Sequence, residues 1–254
     1  MNLYYELLQY PVFSSNVLVK YYRNQETART ALKRLLKEGL VVKIRRNMYT
    51  CISGESQEPV ANRFQIGSAV TDTAYLSHHS AVELYGAADQ VYYDVYVSSE
   101  TKFNEFEFGG YSFRYLPSKC SMGITSAQLS GGIRVTDRER TVIDCIKDMD
   151  QIGGVEETLE NIAAFSVLSE DKLLQYLACY GNQFLYQKTA FILQQHQERL
   201  KLSDQFFEIC HSKIGMSKRY FTKDDPTGHY DRTWRLVVPE GVFRIKNGEG
   251  DDRI

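Results

Sequence analysis

Arg29, Lys33, Arg34 and Lys37 recur at intervals of one to four residues, and Arg45-Arg46-Asn47 follows a short way on. The first chemistry this chain offers is therefore that of cations spaced to meet phosphates. Lys and Arg neutralise phosphate charge, and Arg can also grip a guanine edge with two hydrogen bonds. Gln25, Thr27 and Thr30 share the stretch, and Lys43 precedes the basic tip; all could hydrogen-bond base edges or phosphates. Gln25, Thr27, Arg29, Thr30, Lys33, Arg34, Lys37, Lys43, Arg45, Arg46 and Asn47 are the candidate DNA-contacting set.

Other candidate chemistry is thinner. His78-His79 are potential metal ligands or bases, but neighbours on a helix point about 100° apart and no carboxylate stands at ligand spacing beside them, so a structural role at a helix start is favoured. Asp137, Glu139 and Asp144 in TDRERTVIDC could form an acidic nuclease-like site. Asp137 also suits a helix N-cap, Glu139 its first turn, and Arg140 a partner for Asp137 or Asp144. Cys145 reads as a core thiol without a general base. Phosphate loops, GxSxG, HExxH and GxGxxG are absent, and no catalytic, cofactor or metal residue is assigned.

The basic residues need elements to hold them. Leu3, Tyr4, Leu7 and Leu8 suggest a first short helix ending near Pro11, and Ser14 or Ser15 can cap a second. The third is the clearest: Asn24 caps it, Gln25 to Glu38 lack Gly and Pro, and Gly39 suits the left-handed position beyond its end. Ala28, Ala31, Leu32, Leu35 and Leu36 share one face, with the polar set around the other. Leu40–Ile44 and Met48–Ile52 then form a hairpin with the basic tip between them. Three helices and a basic hairpin is the order of a winged helix-turn-helix. A basic helix face alone can simply be solvated; its union with a basic turn favours DNA.

Residues 53–58 (SGESQE) read as a linker before Pro59. The remainder, 59–245, reads as a larger domain: helices over 60–70 and 78–85, strands over 92–98, 103–108, 111–116 and 133–136, and then helices over 137–147, 155–165, 171–180, 184–200 and 203–214 before a last strand over 233–238. Gly109-Gly110 marks a hairpin whose alternating aromatics are either core or a stacking platform for single strands. Residues 223–229 read as a loop and 246–254 as a flexible tail. The fold class expected is α+β: an N-terminal winged helix-turn-helix at 1–52, then a mixed α+β C-terminal domain.

Charge agrees with that division. The whole chain of 254 residues carries a net −2, which argues weakly against nucleic acid. Residues 1–52 hold nine Lys and Arg against three acids, a net of +6, which leaves 21 basic and 29 acidic residues, −8, on the rest. No apolar run is long enough to cross a bilayer and no signal peptide is evident, so no membrane association and a cytoplasmic location are expected. Cys51, Cys120, Cys145, Cys179 and Cys210 are odd in number and never in a CxxC pair, and are expected to be small buried thiols rather than a disulfide framework or zinc site.

YLSHHSAVELYG (75–86), VYVSSETKF (95–103), RVTDRERTVIDCI (134–146) and the Gly-Gly at 153–154, behind the basic start, resemble the AbiEi family, antitoxins of bacterial AbiE-type abortive-infection (type IV toxin–antitoxin) systems that defend against phage. The resemblance runs from Leu32 to the strand near Trp234. It implies a transcriptional autorepressor that binds inverted repeats in its own promoter through a surface mapping onto Arg29, Lys33, Arg34, Arg45 and Arg46. It also implies a C-terminal domain that neutralises a nucleotidyltransferase-like toxin encoded next to it. The expected partners are double-stranded DNA and that toxin, with the chain monomeric in solution and associating on DNA. It implies no cofactor and no catalytic residue. Two rivals stand beside it: a winged-helix regulator with a ligand-sensing C-terminal domain, and a nucleic-acid-processing enzyme built on Asp137, Glu139 or Asp144.

Overall fold

The computed structural model describes residues 3–88, 91–127, 132–222, 228–240 and 242. The expected tail at 246–254, and all of the expected loop but its last two residues, lie outside them. The chain is α+β and forms two compact units: the described residues of Met1–Leu84, Gln90–Lys119 and Ile124–Thr136, and those of Tyr85–Asp89, Cys120–Gly123 and Asp137–Ile254. Both sides of the expected linker thus belong to the first unit. Residues 53–58 make a tight connection there: Ser53 N–H donates to Glu58 O at 2.9 Å, and Ile52 bridges Pro59.

The first unit opens with α1 (Leu3–Leu7), α2 (Ser15–Val19) and α3 (Gln25–Lys37), then β1 (Val41–Arg45) and β2 (Met48–Cys51) in an antiparallel hairpin. Asn24 caps α3, its side chain accepting from the Thr27 N–H at 2.8 Å, and Gly39 lies at φ 70 beyond the helix end. Leu7, Phe13, Leu18, Ala28, Leu32, Leu35 and Val41 bury together, so the apolar stripe of α3 faces inward as its period requires. Phe13 and Tyr49 exchange two backbone hydrogen bonds of 2.9 Å and add a third extended segment to the hairpin. Ser14 stands at the N-cap of α2 without a side-chain capping bond. Asn47 supplies the acceptor instead, its Oδ1 receiving the Ser15 N–H at 3.0 Å and the Ser15 hydroxyl at 2.6 Å.

A mixed six-stranded sheet follows in the order β5-β6-β4-β3-β8-β7, with β3 Tyr75–Leu76, β4 Asp94–Ser99, β5 Phe106–Phe108, β6 Tyr111–Pro117, β7 Ile124–Ala127 and β8 Ile133–Thr136. Two helices of this unit accompany it, α4 (Arg63–Ser68) and α5 (His78–Leu84). Gly67 permits the approach of α4: a Cβ there would stand 2.9 Å from the Leu76 side chain and 3.1 Å from that of Val97.

The second unit is helical: α6 (Arg138–Asp148), α7 (Gly154–Ala163), α8 (Glu170–Tyr180), α9 (Gln183–Gln194), α10 (Gln197–Leu200) and α11 (Asp204–Lys213). The helix expected over 184–200 is therefore two, with a break that no glycine or proline marks. Three short strands, β9 (Arg219–Tyr220), β10 (His229–Asp231) and β11 (Leu236–Val238), close the unit. Trp234, the only tryptophan, is buried and donates from Nε1 to Gln194 Oε1 at 2.8 Å.

One expectation is corrected. Cys120 and Cys179 form a disulfide, while Cys51, Cys145 and Cys210 are free and buried. The fold sets the segment Cys120–Gly123 against the last turn of α8, with the two Cα atoms 6.0 Å apart across a sequence separation of 59, within bonding reach. Burial pushes the Cys51 thiol up to about 11 and that of Cys210 up to about 12, so both are protonated and inert at neutral pH. Among the described residues no helix is long and apolar enough to cross a membrane.

Candidate nucleic-acid interface

The exposed side of α3 carries Gln25, Thr27, Arg29, Thr30, Lys33, Arg34 and Lys37. Its other side is committed to the core through Ala28, Ala31, Leu32 and Leu35, so the polar set cannot turn inward. Arg29, Lys33 and Lys37 form a row at four-residue spacing, and no carboxylate pairs with them among the described residues. Arg34 Nε stands 3.8 Å from Glu38 Oε1, an exposed contact of little energetic weight. Thr27 is already engaged, its hydroxyl bonding the capping Asn24 at 2.8 Å. The hairpin adds Lys43 and Arg46, both exposed. The result is a helix face and a hairpin tip on which, among the described residues, Arg34 alone stands beside a carboxylate.

Two further residues of the expected set have other work. Asn47, at φ 57, holds the two-residue turn and caps α2. Arg45 turns back onto the aromatic strands, with its guanidinium 5.6 Å from the Phe103 ring centre and 5.0 Å from that of Phe106. Its Nη1 is closed to solvent and has no hydrogen-bond partner among the described residues, and burial lowers its pKa from the ordinary value. The sequence showed three consecutive polar residues at a tip; it could not show that the first reaches rings some sixty residues away.

The rival constellations are occupied structurally. His78 and His79 are buried: the Nδ1 of His78 lies 2.8 Å from Ser77 Oγ, and His79 Nε2 lies 3.0 Å from Asp94 O while its ring stacks on Tyr92 at 4.0 Å. In the other unit, Asp137 caps α6 by accepting the Arg140 N–H at 2.9 Å, and its second oxygen accepts from the Tyr176 hydroxyl at 2.6 Å and Lys172 Nζ at 3.1 Å. Glu139 accepts the Ser169 N–H at 2.9 Å. Asp144 takes the Arg140 Nε at 2.8 Å. Among the described residues no three His, Cys, Asp or Glu side chains converge on a point that could hold a metal ion. Of the aromatics on the hairpin strands, Phe113 is fully buried and stacks on Phe106 at 4.6 Å, while Phe106, Phe108, Tyr111 and Tyr115 are half-buried.

Neither a family model nor a curated protein sequence matches the chain. Among solved structures it is similar to the crystal structure of the Rv2827c protein from Mycobacterium tuberculosis, with a TM-score of 0.60 and 12% identity over 93% of this chain and 89% of that one. At that identity the likeness is one of fold.

Proposed function

We propose that the chain is a DNA-binding antitoxin of the AbiEi type, which represses its own promoter and neutralises a nucleotidyltransferase-like toxin. The observation that carries the DNA half is the row Arg29, Lys33 and Lys37, exposed and without carboxylate partners on a helix whose opposite face is core. In this reading the first three helices and hairpin act as a winged helix, with α3 in a major groove and Lys43 and Arg46 on the flanking phosphates. Two copies on an inverted repeat would block the promoter. Arg45 and Asn47 hold the tip in shape rather than touching the duplex. The antitoxin half draws its support from the motifs at 75–86, 95–103 and 134–146.

Binding of the promoter duplex, followed by fluorescence anisotropy, is expected to weaken about 100-fold in Arg29→Ala/Lys33→Ala/Arg46→Ala, with the salt slope reduced by about 3 because each lost phosphate contact removes nearly one. Unchanged affinity at moderate salt would sink the DNA half. For the antitoxin half, co-expression of the full chain with the product of the adjacent gene is expected to restore growth; persistent toxicity would remove that part of the reading.

A second reading, a winged-helix regulator that senses a ligand, has one observation in its favour. A cavity of about 420 Å³ in the first unit is lined by Phe64, Ile66, Phe108, Tyr111 and Phe113 with Asn62 and Arg63 at its polar side, a size and composition that suit a small molecule.

A further inference from the structure

Beside the hairpin tip, within the first unit, lies a separate polar cleft of about 370 Å³, bordered by Ser14, Asn16, Arg45, Arg46, Thr71 and Asp72. Its chemistry is set by Arg45. One side of that guanidinium is covered by the Phe103 and Phe106 rings, and no carboxylate pairs with it among the described residues. The rings offset part of the charge. A half-buried cation without a counter-ion nonetheless remains costly, and an anion in the cleft that Arg45 borders would relieve that cost. The neighbouring groups are also unspent. Arg46 is exposed, the half-buried Ser14 makes no side-chain capping bond to α2, and Asn16 is exposed. Thr71 is engaged with Ser99 Oγ at 2.7 Å, and Asp72 stands exposed at the rim.

We propose that this cleft is a phosphate-binding site, taking one phosphoryl group of a small phosphate ester with Arg45 as its anchor and Arg46, Ser14 and Asn16 as further donors. Phosphate suits it better than carboxylate, because several donors are available and only a phosphoryl group offers three or more acceptor oxygens to them. Asp72 repels the ligand and weakens it. The site shares Arg46 with the DNA reading, but its anchor Arg45 stands outside that reading and α3 contributes nothing to it.

The test uses the full chain and inorganic phosphate, titrated calorimetrically against chloride at constant ionic strength. Binding is expected in the wild type. It should weaken about tenfold or more in Arg45→Met, which keeps an unbranched side chain at the position but removes the charged donors. It should tighten about threefold in Asp72→Asn and stay within about twofold in Arg29→Ala/Lys33→Ala, whose charges lie on α3. If circular dichroism shows Arg45→Met to be unfolded, Arg45→Lys takes its place; losing the planar fork should still weaken binding severalfold. Equal binding in the wild type and the Arg45 variant overturns the proposal, as does no phosphate-specific heat in the wild type. A duplex arm separates the two sources of phosphate. If free phosphate does not bind while Arg45→Met weakens duplex binding as much as Arg46→Ala does, Arg45 is a backbone contact and the small-ligand site falls.

Discussion

Arg140→Met is expected to cost about 3 to 5 kcal/mol of stability, measured by denaturant unfolding with Trp234 fluorescence as the reporter of the second unit. Arg140 and Asp144 are both almost wholly buried, at 1% exposure each, and bonded at 2.8 Å one helical turn apart. The guanidinium does more than pair. Its Nη1 donates to the carbonyls of Cys120 at 3.0 Å and Met122 at 2.6 Å, and its Nη2 to the Tyr180 hydroxyl at 2.7 Å, which in turn donates to Asp144. Removing the cation takes the guanidinium from the buried Asp144 and a donor from the Cys120 and Met122 carbonyls, and that uncompensated burial dominates the cost. The sign of the double variant follows. Arg140→Met/Asp144→Leu removes both charges and should recover most of the loss, since a buried ion pair repays little beyond its own desolvation. A single variant within about 1 kcal/mol of wild type would show that water reaches the pair and that Arg140 is not what anchors Cys120–Gly123.

The same residue shows what was legible in the sequence. TDRERTVID announces a capped helix because capping and one-turn pairing are local: Asp137 meets the Arg140 N–H three residues on, and Arg140 meets Asp144 four residues on. Asn24 and Gly39 bracket α3 for the same reason, and alternation exposed β4 and β6. Where partners are distant the signal fades. The strand β7 is four residues, ITSA, without alternation, and exists because it pairs antiparallel with β8. The two-residue β3 gains its place between β4 and β8 from the sheet and from nothing in Tyr75-Leu76 themselves. At the candidate interface, the helical period fixed which cations face outward, while the inward turn of Arg45 depended on Phe103 and Phe106. The polar cleft likewise draws Ser14 and Asn16 from one end of the unit and Thr71 and Asp72 from beyond the hairpin, a convergence with no counterpart in spacing.

Reducing the Cys120–Cys179 disulfide is expected to lower the stability of the second unit by about 4 kcal/mol, the loop-closure entropy of a link spanning 59 residues. Cys179 lies on an exposed position of α8 and Cys120 is buried, so a small thiol can reach the bond from the Cys179 side. The bond ties down the segment Cys120–Gly123, whose carbonyls serve Arg140 and whose Gly123 O accepts the Asp137 N–H at 2.8 Å. Covalent link and guanidinium therefore restrain the same four residues, and their effects should not add. In the reduced protein, or in Cys179→Ser, Arg140→Met should cost less than in the oxidised protein by about 0.5 to 3 kcal/mol, because a segment already released has less to lose. Denaturant curves of wild type and Arg140→Met with and without dithiothreitol close this cycle, and Cys51, Cys145 and Cys210, free thiols already, offer dithiothreitol no bond to cut. Strict additivity would mean that the disulfide acts only on the unfolded chain. If the chain works in a reducing compartment the pair rests as thiols, and the Arg140 network is then what holds Cys120–Gly123 against α8.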